Sequence, residues 1–142
     1  MCDLDRYKQL NDTLGHQVGD EVLVRAAEAI RESVRASDVA ARYGGDEFVL
    51  LLPHTAIDEA EPIAARLAES LRERTGSLPA VPCGLTLSVG LASLHADQPA
   101  SAEALVLLAD RALYAAKAAG GNYVVPRAGC DAATGPWGQT PK

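Results

Sequence analysis

Arg42-Tyr43-Gly44-Gly45-Asp46-Glu47-Phe48 is the stretch on which the fold turns. Two consecutive glycines permit the positive φ values that a tight reversal demands, and β-prone runs flank them, Asp38 to Tyr43 before and Phe48 to Leu52 after. The pattern predicts a β-hairpin whose tip carries two adjacent carboxylates. Glycine beside acidic residues also lets backbone N–H groups approach phosphate oxygens.

Working outward, Leu23, Ala27, Ile30 and Val34 recur at helical spacing and predict an amphipathic helix from Asp20 to Arg35. After Pro53, Ile57, Ala60, Ala64, Leu67 and Leu71 step by three and four, predicting a second helix that stops near Gly76. Gly76 to Gly84 reads as a loop, and Leu85 to Leu94 as an interior strand. Leu105, Leu108, Ala112 and Ala116 predict a third helix from Ser101 to the Gly120-Gly121 pair, with a terminal strand over 122–125. From 126 onward Gly, Pro, Ala and Thr dominate, so 126–142 is expected to be a mobile tail and 1–125 the folded domain. Strands alternating with helices, plus one hairpin, predict an α/β (α+β) sheet covered by helices.

The chain has 142 residues, the length of one domain, and 48% of them are apolar. A formal charge of −6 with no basic stripe excludes a non-specific nucleic-acid binder. No segment has the roughly 18 apolar residues of a membrane span, and the N-terminus lacks the apolar stretch of a signal peptide, so a cytoplasmic location is expected. Cys2, Cys83 and Cys130 fit neither a disulfide framework nor a zinc site. His16, His54 and His95 have no companions at ligand spacing.

The acidic residues carry the chemistry. Asp3 and Asp5 lie just before a polar stretch, read as a loop, that holds Lys8, Asn11 and Asp20. Hard cations such as Mg²⁺ prefer carboxylate oxygens and bridge protein to substrate phosphates, so carboxylates from two segments can clamp a nucleoside triphosphate.

The run Asp3-Leu4-Asp5-Arg6-Tyr7-Lys8-Gln9-Leu10-Asn11-Asp12, then Gly15-His16, Gly19-Asp20 and the Arg42–Phe48 stretch, then Ala109-Asp110-Arg111-Ala112-Leu113-Tyr114-Ala115-Ala116-Lys117, resembles the GGDEF family of diguanylate cyclases from Asp3 to about Val125. The resemblance implies a nucleotide-cyclase-like central sheet with flanking helices. It implies condensation of two GTP molecules into cyclic di-GMP and two pyrophosphates, by a homodimer with one GTP per chain. Asp3, Asp46 and Glu47 would be the catalytic residues. Asp3, Asp46, Glu47 and the Leu4 carbonyl would hold Mg²⁺ (or Mn²⁺), with Glu47 alternatively activating the 3′-hydroxyl. Lys8 and Lys117 would meet phosphate, Gly44 and Gly45 would admit it, and Asn11 and Asp20 would read guanine. Arg42 would assist or simply brace the hairpin. Arg35-Ala36-Ser37-Asp38 matches the family's inhibitory site for product, with Arg66 adding a contact.

Two departures qualify the likeness. Gly121 stands where the family commonly has a phosphate-binding arginine. The family also has a helix, an asparagine-arginine motif and an apolar strand leading into the first aspartate, whereas here Met1 and Cys2 precede Asp3, so the first, central strand is expected to be missing. The alternatives are a non-catalytic domain that binds GTP or cyclic di-GMP, or an inactive truncated fragment.

Overall fold

The computed structural model describes residues 1–122 and 124–126. Along the chain run β1 (Cys2–Leu4), α1 (Tyr7–Leu14), α2 (His16–Ser33), β2 (Val39–Arg42), β3 (Glu47–Leu51), α3 (Ile57–Gly76), β4 (Leu87–Leu91), α4 (Leu94–Asp97), α5 (Ala102–Ala118) and β5 (Val124–Pro126). The strands form one sheet in the order β2-β3-β1-β4-β5. All pairings are antiparallel except that of β4 with β5.

The hairpin forms where expected, with β2 and β3 paired from Val39↔Leu51 to Arg42↔Phe48, but neither Gly44 nor Gly45 takes the positive φ on which the expectation rested. The expected gap in the sheet is not there. Cys2–Leu4 is itself the central strand, pairing with β3 on one side and β4 on the other. Three residues suffice because both neighbours supply hydrogen bonds, and the Cys2 and Leu4 side chains are each 1% exposed.

The polar stretch read as a loop is also corrected. Tyr7, Leu10 and Leu14 are spaced by three and four, and α1 forms over them with Leu10 buried and Tyr7 packed against the core. Gly15, at φ +85°, ends α1 and redirects the chain into α2, which begins four residues earlier than expected. The second and third helices fall where their periodicity places them. At the start of α3, Glu59 accepts the Ala56 N–H at 2.9 Å; at that of α5, Ser101 Oγ accepts from Ala104 N at 3.2 Å. The expected strand over 85–94 is shorter, and its end is taken by α4, capped by Ser93. Of the expected tail, residues beyond Pro126 lie outside the described residues, as does Cys130. Cys2 is buried, and burial pushes its thiol up to about 11, an inert group.

The sheet's two faces are set by strand alternation. Leu4, Leu87 and Val89 join the core with Val22 and Ala26 of α2 and Leu67 and Leu71 of α3. Ser88 and Gly90 point the other way, toward α5. A Cβ at Gly90 would come within 2.1 Å of Leu113 N and 2.2 Å of Ala109 O, so α5 lies directly on the β4 backbone. Replacing Gly90 with alanine should therefore force α5 off the sheet, costing about 3 kcal/mol. A thermal unfolding curve should show the midpoint lowered by about 10 °C.

Candidate active site

The two-residue period of β1 puts Cys2 and Leu4 into the core and turns Asp3 toward α5. Asp3 is paired across the sheet with Glu47 on β3 and Ser88 on β4, and it is 5% exposed. The hairpin tip is tied to the same strand, for Leu4 N donates to Asp46 O at 3.1 Å. Asp3, Leu4, Asp46 and Glu47 thus lie together at one end of β1.

Arg42 braces this tip. Its Nε donates to the carbonyls of Gly44 and Gly45, both at 3.1 Å, and a second guanidinium nitrogen to Gly45 O at 2.6 Å. A Cβ at Gly44 would sit 2.7 Å from Glu47 Oε2, so the Glu47 carboxylate lies back over the turn; around Gly45 the space is open. Of the two roles considered for Arg42, the geometry displays the structural one.

Lys117, in the last turn of α5, donates to Asp3 Oδ2 at 2.5 Å. The other oxygen, Asp3 Oδ1, is buried without a hydrogen-bond partner. Burial pushes the Asp3 carboxyl above its ordinary range; the Lys117 hydrogen bond pulls it back, while the charges of Asp46 and Glu47 raise it further. Here is a crowded negative site with a vacant acceptor. Among the described residues no three His, Cys, Asp or Glu side chains form a ready metal cage. That arrangement suits Mg²⁺, which binds through one or two carboxylates and completes its shell with water and phosphate oxygens.

Asn11 packs against α2 at Gly19, the residue before Asp20. A Cβ at Gly19 would lie 1.8 Å from Asn11 Oδ1, so only glycine fits beside that amide, and Asn11 Oδ1 is likewise buried and unpartnered. Asp20 opens onto a cavity of about 580 Å³ whose walls include Leu23, Ile30, Arg42 and Phe48. Lys8 is exposed on α1.

Arg35, Asp38 and Arg66 sit apart from this cluster, at the far end of the hairpin. Asp38 Oδ2 accepts the Arg35 N–H at 2.7 Å, and Arg66 donates to Ser33 O, the end of α2, at 3.3 Å. The three-residue spacing of Arg35 and Asp38 thus closes a turn. It leaves the Arg35 guanidinium exposed, with no hydrogen bond or ion pair among the described residues.

One residue that the sequence reading left without a role is Asp5. Its carboxylate accepts from Thr86 Oγ1 at 2.7 Å, Ser88 Oγ at 2.7 Å and Asn122 N at 2.8 Å. Asp3 and Asp5 alternate with apolar neighbours, as do Thr86 and Ser88, and that shared period of two was the available signal. Gly121 packs on this carboxylate: a Cβ there would lie 2.9 Å from Asp5 Oδ1.

The sequence pattern of the diguanylate cyclase GGDEF domain matches residues 1–123. Diguanylate cyclase A of Treponema denticola is 40% identical over 124 residues, which cover 87% of this chain and 33% of that protein. Response regulator PleD of Caulobacter vibrioides is 40% identical over 134 residues, covering 90% of this chain and 28% of that protein. Among solved structures, the GGDEF domain of DgcB from Caulobacter crescentus in complex with c-di-GMP superposes with a TM-score of 0.78 at 30% identity, over 89% of this chain and 75% of that one. The chain spans about a third of the length of the curated relatives it matches.

Because the fold holds Asp3 with a charge that burial disfavours, Asp3→Asn should raise the unfolding midpoint. The sign follows from linkage: between the ordinary carboxylate range and the raised folded value, the folded chain holds a proton that the unfolded chain has lost, so stability falls as pH rises. Unfolding curves across mildly acidic pH should show that decline in the parent chain and a flatter profile in the variant.

Proposed function

The chain belongs to the GGDEF family of diguanylate cyclase domains over residues 1–123, and we propose that it condenses two GTP molecules into cyclic di-GMP with release of two pyrophosphates. The observation that carries this reading is the buried, unpartnered Asp3 Oδ1 of a carboxylate whose other oxygen is held by Lys117. A lone carboxylate oxygen out of water is costly unless a cation completes it.

In this reading Asp3 and Asp46, with the Leu4 carbonyl, hold Mg²⁺ or Mn²⁺. The cation supplies charge neutralisation on the triphosphate. Lys8 and Lys117 add positive charge along the phosphates, and the open space at Gly45 admits the triphosphate to the backbone of the turn. Asp20 accepts from guanine N1–H and the 2-amino group, with Asn11 as its companion; adenine lacks that donor face, so GTP is selected over ATP. Glu47, folded over Gly44, borders the same space as a further cation ligand or as the acceptor of the 3′-hydroxyl proton.

One chain holds one GTP, so the reaction takes two copies face to face. Each 3′-hydroxyl oxygen attacks the α-phosphorus of the opposing nucleotide, a P–O bond to pyrophosphate breaks, and two such transfers close the ring. The protein contributes positioning and charge, which suits a site built from fixed carboxylates and ammonium groups rather than a nucleophile. Arg35, Asp38 and Arg66 then form a separate product site, where the exposed Arg35 guanidinium meets a phosphate of cyclic di-GMP and restrains the enzyme.

Asp46→Asn should lower cyclic di-GMP formation by about a thousandfold, while a cooperative unfolding transition persists because the residue sits in a turn. Product measured by mass at parental rates would refute the metal assignment. Arg35→Ala should shift the concentration of added cyclic di-GMP needed for half inhibition upward by about tenfold or more, with the initial rate unchanged; an unmoved curve would remove Arg35 from the product site.

A further inference from the structure

Three groups donate to the Asp5 carboxylate, and they come from two separate parts of the chain. Thr86 and Ser88 belong to β4 and its approach; the Asn122 N–H belongs to the turn that follows α5. That turn is unusual, since Gly120, Gly121 and Asn122 all take positive φ, at +112°, +78° and +57°. Glycine takes that region without steric cost and asparagine tolerates it, so the residues of this turn allow the sharp reversal that brings the Asn122 N–H back to Asp5. The Gly120 N–H returns to Lys117 O at 3.0 Å and the Gly121 N–H to Ala116 O at 3.2 Å, so the turn is continuous with the helix end that carries Lys117.

We infer that Asp5 is a positioning residue: by clamping the post-α5 turn to the end of β1 it sets the Lys117 ammonium beside Asp3. The Asp5 backbone N–H is spent on Thr86 O at 3.0 Å, and its side chain on the three donors named. Asp5 follows β1 directly, two residues after Asp3, so one short segment carries both the acceptor of the lysine and the anchor of the turn that ends its helix. Without the anchor, the turn keeps its backbone bonds to the helix end and the pairing of β5 with β4 but loses its side-chain tie to the end of β1, and the long Lys117 side chain, itself 43% exposed, samples more rotamers.

The test is a double-mutant cycle of Asp5→Asn and Lys117→Met on the full chain, read in two ways. The first is denaturant unfolding without nucleotide. The second is the dissociation constant for GTP with Mg²⁺, an arm that rests on the function proposed above. Lys117→Met should weaken GTP binding by about tenfold to thirtyfold, and Asp5→Asn by about fivefold in the presence of Lys117. Once Lys117 is gone, Asp5→Asn should change binding by less than about twofold. The unfolding arm should show the same non-additivity, whether or not GTP binds. Additive losses in the unfolding arm would overturn the inference and reduce Asp5 to a generic structural contact. If the parent chain binds no GTP with Mg²⁺ while the unfolding cycle is still non-additive, the proposed function fails and the positioning role stands. Should Asp5→Asn not fold, Gly121→Ala, whose Cβ presses on the same carboxylate from the turn, replaces it in the cycle.

Discussion

Asp3 sits on the central strand between β3 and β4, its carboxylate buried on the α5 face of the sheet with one oxygen paired to Lys117 and the other unpaired. Every other element of the site is arranged with respect to this charge. The hairpin tip is bound to its strand through the Leu4 N–H and Asp46 O, α5 lies on Gly90 so that its last turn reaches Asp3, and Arg42 holds the tip carbonyls in place. The arrangement is unfavourable by itself, because three carboxylates crowd one end of β1 and burial works against ionisation. Stability given up at one place in this way is a common signature of a site built to receive a counter-charge.

Much of this was legible in the sequence, for identifiable reasons. The hairpin followed from a Gly-Gly pair between β-prone runs, although neither glycine takes the positive φ that motivated the reading. The helices followed from long periodic stretches such as Ile57 to Leu71, where several apolar positions agree. The meeting of Asp3, Asp46 and Lys117 came from the family resemblance, since nothing in their spacing of tens of residues reveals contact. The short strand was missed because Cys2–Leu4 is too brief for alternation to register, and its strand character comes from neighbours on both sides. Helix α1 was missed because Lys8, Asn11 and Asp12 mask the spacing of Tyr7, Leu10 and Leu14. The Asp5 clamp went unread because its donors lie more than eighty residues away, one of them a backbone N–H that no side chain announces.

Two glycines also acquire meaning only in three dimensions. Gly19 brings Asn11 against α2 next to Asp20, and Gly90 lets α5 descend onto β4. Neither sits in a turn. Both are places where a methyl group would hold apart two elements that the site needs together. In Gly121 the sequence departs from the family's common arginine, and the structure shows that position in a left-handed turn packed on Asp5, where a side chain would crowd the carboxylate.

The central claim is that the acidic end of β1, the glycine tip and Lys117 together form a cation-dependent GTP site. Its most direct test is calorimetric titration of the purified chain with a non-hydrolysable GTP analogue, with and without Mg²⁺, and with the corresponding ATP analogue. The account predicts one guanine nucleotide bound per chain, binding that depends on the divalent ion, and a markedly weaker response to the adenine analogue. Binding that is indifferent to Mg²⁺, or equal for the two bases, would contradict it.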